Sequence, residues 1–231
     1  MYEIKHHQVI ESALKNFNAD FFYSNNILFG GGTRIALEID EYRESIDIDF
    51  LCPTRASYKA VREQVTNISL GQLVHEDFDY AREIRADRDG VRTIIQLGDT
   101  SIKLEFVSFN EYQLTASEAD INVFPVPCIS IESCFVTKLL ANADRSLNYP
   151  FKDIFDILAM YSKWGTIPED ALKIAHDFYG DVAVRELKNA LAHMIKNPKE
   201  HLAACNDMKM KPDWAKDLVN RKASELLKHF S

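Results

Sequence analysis

The sequence predicts an α+β protein in which a mixed sheet with helices is followed by an all-helical C-terminal part. Up to about residue 125, short β-branched and aromatic runs alternate with helical stretches. Asp89-Gly90, a dipeptide suited to a tight hairpin turn, separates two such runs. Beyond Pro125 and Pro127 the apolar spacing becomes helical throughout. The expected division is therefore an α/β domain over 1–125 and a helical domain over 126–231.

In chain order, an amphipathic helix is expected over Ile4 to Phe17, then an apolar run at Ile27 to Phe29 and a helix from Thr33. A strand over Ser45 to Leu51 and a helix over Arg55 to Val65 follow. Tyr80 to Ala86, Val91 to Leu97 and Ser101 to Phe109 form a meander, its second turn at Leu97-Gly98-Asp99. The helical part reads as Ile129 to Arg145, Phe151 to Trp164, Pro168 to Phe178, Val182 to Ile195 and Pro212 to Phe230.

Composition narrows the class. The 231 residues are 46% hydrophobic and 27% charged, close to ordinary globular values, and long enough for a sizeable core. No apolar run reaches membrane-spanning length and the N-terminus is amphipathic, so a cytoplasmic protein with no membrane partner is expected. Cys52, Cys128, Cys134 and Cys205 lack metal-site or redox spacing and read as buried, reduced thiols. His6-His7 reads as a surface pair. The net charge of −8 is uneven: from Ala171 onward there are 11 Lys and Arg against 8 Asp and Glu, so the first 170 residues carry −11.

The chemistry is concentrated in two stretches. Phe29 runs into Gly30, Gly31 and Gly32 and then into a helix, a geometry that presents backbone N–H groups to a phosphate. The glycines alone fit equally a plain strand-to-helix turn capped by Thr33. In Ser45-Ile-Asp-Ile-Asp-Phe-Leu, strand alternation puts Ser45, Asp47 and Asp49 on one face. Two adjacent carboxylates repel unless a divalent cation such as Mg²⁺ or Mn²⁺ joins them; the alternative is the wet face of an edge strand. If the strand bearing Glu105 lies beside this one, a third acid joins the pair, enough for two metals. Lys138, Ala141 and Arg145 share a helix face that could meet phosphates, while Asp153 and Asp156 lie one turn apart and could simply pair with Arg145.

These segments, in this order over about residues 27 to 160, resemble the AbiEii/AbiGii-like toxin family of the DNA polymerase β-like nucleotidyltransferase superfamily. The matching parts are Gly-Gly-Gly-Thr-Arg-Ile-Ala-Leu, Arg43-x-Ser45-x-Asp47-Ile-Asp49, Lys103-Leu104-Glu105, Lys138-x-x-Ala-x-x-x-Arg145 and Lys152-Asp-x-x-Asp156. The resemblance implies transfer of a nucleoside monophosphate from a nucleoside triphosphate to a hydroxyl, with Mg²⁺ or Mn²⁺. It implies that Asp47 and Asp49 ligate metal and that Glu105 completes the metal site or acts as base. Gly31, Gly32 and Thr33, together with Arg43, Ser45, Lys138 and Arg145, would hold the nucleotide; Lys138 and Asp153 would be helpers from the helical domain. A tRNA or protein acceptor and an antitoxin encoded nearby follow from the same resemblance. Thr137 and Tyr149 depart from the family pattern, which has Gln and Arg there. A small-molecule, aminoglycoside-type acceptor and a non-catalytic nucleotide-binding module are the competing readings.

Overall fold

A computed structural model describes residues 2–118 and 122–230 and divides into two compact units, Met1–Arg34 with Ser45–Ser130, and Ile35–Glu44 with Ile131–Ser231. The α+β class expected from the sequence is the one observed. Among the described residues no helix is long and apolar enough to cross a membrane.

The first unit contains helices α1 (Lys5–Asn16) and α2 (Ala19–Asn25), strand β1 (Leu28–Gly30), the start of helix α3 (Gly31–Glu38), strand β2 (Asp47–Cys52) and helix α4 (Arg55–Gln64). The meander β3 (Asp79–Ala86), β4 (Gly90–Leu97) and β5 (Thr100–Ser108) completes one sheet of order β1-β2-β5-β4-β3. β2 and β5 run parallel, with Asp49 in register with Glu105; the remaining neighbours are antiparallel. Alternation sends Ile48 and Phe50 of β2 and Ile102, Leu104 and Phe106 of β5 to the buried face, where Phe17 and Phe22 pack on Phe50 and Phe106 and Ile10 and Leu14 are also buried. Phe50 centres this core, with ring centroids 4.8 Å from Phe17, 4.8 Å from Phe22 and 5.1 Å from Phe106. The other face carries Asp47, Asp49, Lys103, Glu105 and Arg92.

α2 was not expected from the sequence. Asn18 caps it, its side chain accepting the Phe21 N–H, so a seven-residue aromatic stretch becomes helical through its cap rather than its periodicity.

The second unit is built on α5 (Ile131–Arg145), packed by α6 (Lys152–Trp164), α7 (Glu169–Tyr179) and α8 (Val182–Lys196). α9 (Pro198–Asp207), also absent from the sequence reading, begins with Pro198 at its first turn. The single helix expected over 212–230 is observed as an unbroken helical run over 212–228 that contains a π-helical turn, Leu218–Lys222, between α10 (Pro212–Asp217) and α11 (Ala223–Lys228). Residues 35–44, which the sequence places with the α/β part, are knitted into this unit by backbone bonds from Glu44 N–H to Met208 O and from Lys211 N–H to Tyr42 O. All four cysteines are buried thiols outside any disulfide, and burial pushes the Cys52 and Cys205 thiols up to about 12, as suits inert packing residues.

Because Phe50 is fully buried at the centre of the aromatic cluster, Phe50→Ala is expected to cost about 3–5 kcal/mol of stability, measured by urea unfolding.

Candidate active site

The site is assembled where the glycine turn meets β2. Gly30 is in register with Asp49 across the β1–β2 pair. Gly31 then takes φ +71, a left-handed conformation, and a Cβ added there would stand 2.1 Å from Asp49 Oδ2. Only a residue without a side chain lets the backbone approach that carboxylate so closely. Gly31, Gly32 and Thr33 form the first turn of α3, where N–H groups lack intrahelical partners.

Thr33 is not a cap. It is buried, and its hydroxyl lies 2.8 Å from Ser45 Oγ and also donates to the Asp47 carbonyl, tying the first turn of α3 to the start of β2. Ser45 is held from the other side: its N–H donates to His7 Nε2 at 3.0 Å. His6 Nε2 donates to the Ile46 carbonyl at 3.2 Å. The histidine pair expected at the surface therefore contains one wholly buried member, His7, and both grip the strand leading to Asp47. An apolar stripe on α1 signals the buried face, but nothing local signals that a histidine belongs to it.

Asp47 and Asp49 are half-buried and share the face that β2 turns away from the aromatic core. Glu105 sits in register with Asp49 on β5, as the sequence argument requires, and its two oxygens are engaged by Arg92 Nε at 2.9 Å and by Lys103. Among the described residues no group of three or more acidic, histidine or cysteine side chains is gathered as metal ligands. The arrangement is thus a carboxylate pair with an ion-paired third acid beside it. The pair fits a hard divalent cation: its donors are carboxylate oxygens, and the backbone at Gly31 leaves the space a Cβ would fill directly against Asp49.

In the helical unit the expected phosphate-facing cations are engaged by acids. Lys138 Nζ lies 3.0 Å from Asp153 and 2.6 Å from Asp156, and Arg145 Nε is 2.6 Å from Asp153. Arg43, expected among the nucleotide contacts, is buried and forks onto Asp156 at 2.8 and 3.1 Å while donating to the Glu44 carbonyl. Tyr42 donates to the same carboxylate. Burial acts to raise the Asp156 pKa, but Arg43 and Lys138 together hold it well below the carboxylate range. Asp153 is likewise desolvated yet lowered by Lys138 and Arg145. Lys138 moves up for the matching reason: its burial is outweighed by the two aspartates. Asn142, one turn after Lys138 on the same helix face, is also fully buried. Tyr42 and the 113-residue partnership of Arg43 with Asp156 have no sequence signal, because the pairing is made only by the fold.

The depressed aspartates fix the sign of a pH dependence. Their stabilisation is present above the unfolded value of 3.8 and is lost as pH falls through the folded values. Asp156→Asn, which leaves Arg43 and Lys138 buried without their shared counter-charge, is expected to lose about 3–5 kcal/mol at pH 7. Urea unfolding between pH 2 and pH 7 should show that loss, together with a flatter acid limb than the wild type.

The family model for the nucleotidyl transferase AbiEii toxin of type IV toxin–antitoxin systems matches residues 12–226. No curated protein matches the chain. Of solved structures, JHP933 from Helicobacter pylori is similar in fold, with a TM-score of 0.54 at 16% identity, covering 99% of this chain and 94% of that one. A protein described as a candidate nucleotidyltransferase, also from H. pylori, has a TM-score of 0.50 at 17% identity, covering 96% and 94%.

Proposed function

The chain belongs to the AbiEii nucleotidyl transferase toxin family and is a nucleotidyltransferase; from that premise we propose that Asp47 and Asp49 hold a divalent cation at which a nucleoside monophosphate passes from its triphosphate to an acceptor hydroxyl. The observation that carries the reading is the contact of the Gly31 turn with the Asp49 carboxylate, which brings a phosphate-type turn and an acidic pair into one place.

When bound, Mg²⁺ or Mn²⁺ supplies Lewis acidity to the triphosphate and to the attacking oxygen. The chain's own residues do the rest. The N–H groups at Gly31 and Gly32 and the first turn of α3 take phosphate oxygens, and the Thr33 and Ser45 hydroxyls fix that turn against β2. The acceptor oxygen forms a bond to the α-phosphorus as the bond from that phosphorus to the bridging β-phosphate oxygen breaks, releasing pyrophosphate. The hydroxyl proton passes to Glu105, or to solvent water where Glu105 instead completes the cation's ligands; in either role Glu105 exchanges one of its ion pairs, with Arg92 or Lys103, for the new partner. Lys138 and Asp153 serve as helpers from within the buried network of the helical unit, and Arg43 serves by securing residues 35–44 to α6.

The family assignment carries with it an antitoxin partner and toxin activity in the cell; tRNA or protein is the acceptor class we assign. The test is transfer of label from each α-labelled nucleoside triphosphate, with Mg²⁺ or Mn²⁺, into total tRNA and whole-cell protein. Label is expected in one of these pools with wild type, and a loss of about 100- to 1,000-fold or more, the range found when a transition-state-stabilising group is removed, is expected in Asp47→Ala/Asp49→Ala. Label appearing only in an aminoglycoside would reassign the acceptor to a small molecule.

A further inference from the structure

The strand register places a second, oppositely charged feature on the face that bears the acidic pair. Two rows of cross-strand partners run over the sheet. One is Asp49, Glu105, Arg92 and Arg85; the other is Asp47, Lys103, Ile94 and Arg82. Partners directly opposite one another project to the same face, so Arg82 and Arg85 lie on the face of Asp47 and Asp49, at the β3 edge. In a regular strand, residues three apart would point to opposite faces. A register shift between Arg82 and Arg85 adds one residue to β3 and returns both arginines to one side.

Electrostatics says that this alignment invites an anion. Arg85 stands directly across from Arg92, a like-charge pairing that works against the sheet. The Arg92 guanidinium is neutralised by Asp87 at 3.0 Å and Glu105 at 2.9 Å. Arg82 and Arg85 are exposed, and among the described residues neither side chain has an ion-pair or hydrogen-bond partner. They stand out in a stretch of 170 residues whose net charge is −11.

We propose that Arg82 and Arg85 form a docking strip for the phosphate backbone of an RNA acceptor, which then runs across β4 and β5 toward the acidic pair. The proposal rests on the nucleotidyl-transfer reading for the direction of that path. Two residues of antiparallel rise separate the arginines by about 6.8 Å, of the order of the distance between successive phosphates of one RNA strand, and β3 lies three strand spacings, about 14 Å, from β2. Guanidinium groups suit phosphate oxygens because their planar fork of N–H donors matches them. Recognition of this kind reads the backbone and not the base, and it is salt-dependent.

The test compares wild type, Arg82→Glu/Arg85→Glu and the charge-preserving Arg82→Lys/Arg85→Lys for binding to total tRNA across a salt series. Calorimetry of triphosphate binding runs alongside. The expected result for the Glu pair is affinity at least tenfold weaker at low salt. Its slope of log affinity against log salt should be shallower by roughly 1.5, from two phosphate contacts at about 0.7–0.9 each. Triphosphate binding should be unchanged, and the Lys pair should stay near wild type. Unchanged tRNA affinity and slope in the Glu pair overturns the proposal. So does a loss confined to a poly-glutamate probe, which would assign the strip to an acidic protein segment. If wild type binds tRNA with this arginine dependence but labels nothing, the transfer reading fails while the strip stands; if transfer to tRNA survives in the Glu pair, the reading stands and the strip fails.

Discussion

The close approach of the glycine turn to β2 constrains everything around the acidic pair. Asp49 can lie against the backbone at Gly31 only because no Cβ is present there, and Gly31 can turn as it does only with a positive φ. That approach fixes the first turn of α3 over the start of β2, and Thr33 reinforces it through Ser45 and the Asp47 carbonyl. Behind the strand, the same alternation that projects Asp47 and Asp49 outward drives Ile48 and Phe50 into the aromatic core. A shift of β2 by one residue would exchange the two faces, burying the carboxylates and exposing the apolar side chains, so core packing and site geometry specify one register together.

The helical unit solves a different problem. Asp156, Lys138 and Arg43 are charges removed from water, and such groups stabilise a fold only when each is matched and hydrogen-bonded. Here one carboxylate accepts from Tyr42, Arg43 and Lys138, and Asp153 takes the remaining reach of Lys138 and the guanidinium of Arg145. The network anchors residues 35–44 to α6 and fixes the Lys138 ammonium, whose two carboxylate neighbours keep it charged. It also accounts for the internal docking of a segment that is close in sequence to the acidic strand but packs with helices far along the chain.

What could be read from the sequence was whatever is periodic or local. The alternation in Ser45 to Leu51 gave the shared face of Asp47 and Asp49, and Asp89-Gly90 located the β3–β4 hairpin, although the turn itself lies one residue earlier, over Arg88-Asp89, with Gly90 opening β4. The neighbouring position of Glu105 was conditional on strand order, which only the parallel pairing of β2 with β5 decides. Contacts with no local signature stayed hidden: His7 beneath Ser45, and Arg43 on Asp156. Helices without a clear amphipathic stripe, α2 and α9, were hidden for the same reason, since a cap or a first-turn proline sets them rather than a repeating apolar face. The bulge that aligns Arg82 with Arg85 is equally silent, because it is a property of pairing and not of composition.

Whether the Gly31 turn and the Asp47–Asp49 pair form one cation-dependent triphosphate site is decided by binding rather than turnover. Titration of Mn²⁺ into the protein with a non-hydrolysable nucleoside triphosphate, followed by electron paramagnetic resonance, reads the bound ion itself. Tight Mn²⁺–triphosphate binding is expected in wild type, lost in Asp49→Asn and weakened in Gly31→Ala, with both variants folded by circular dichroism. Binding that is equal in all three proteins would contradict it.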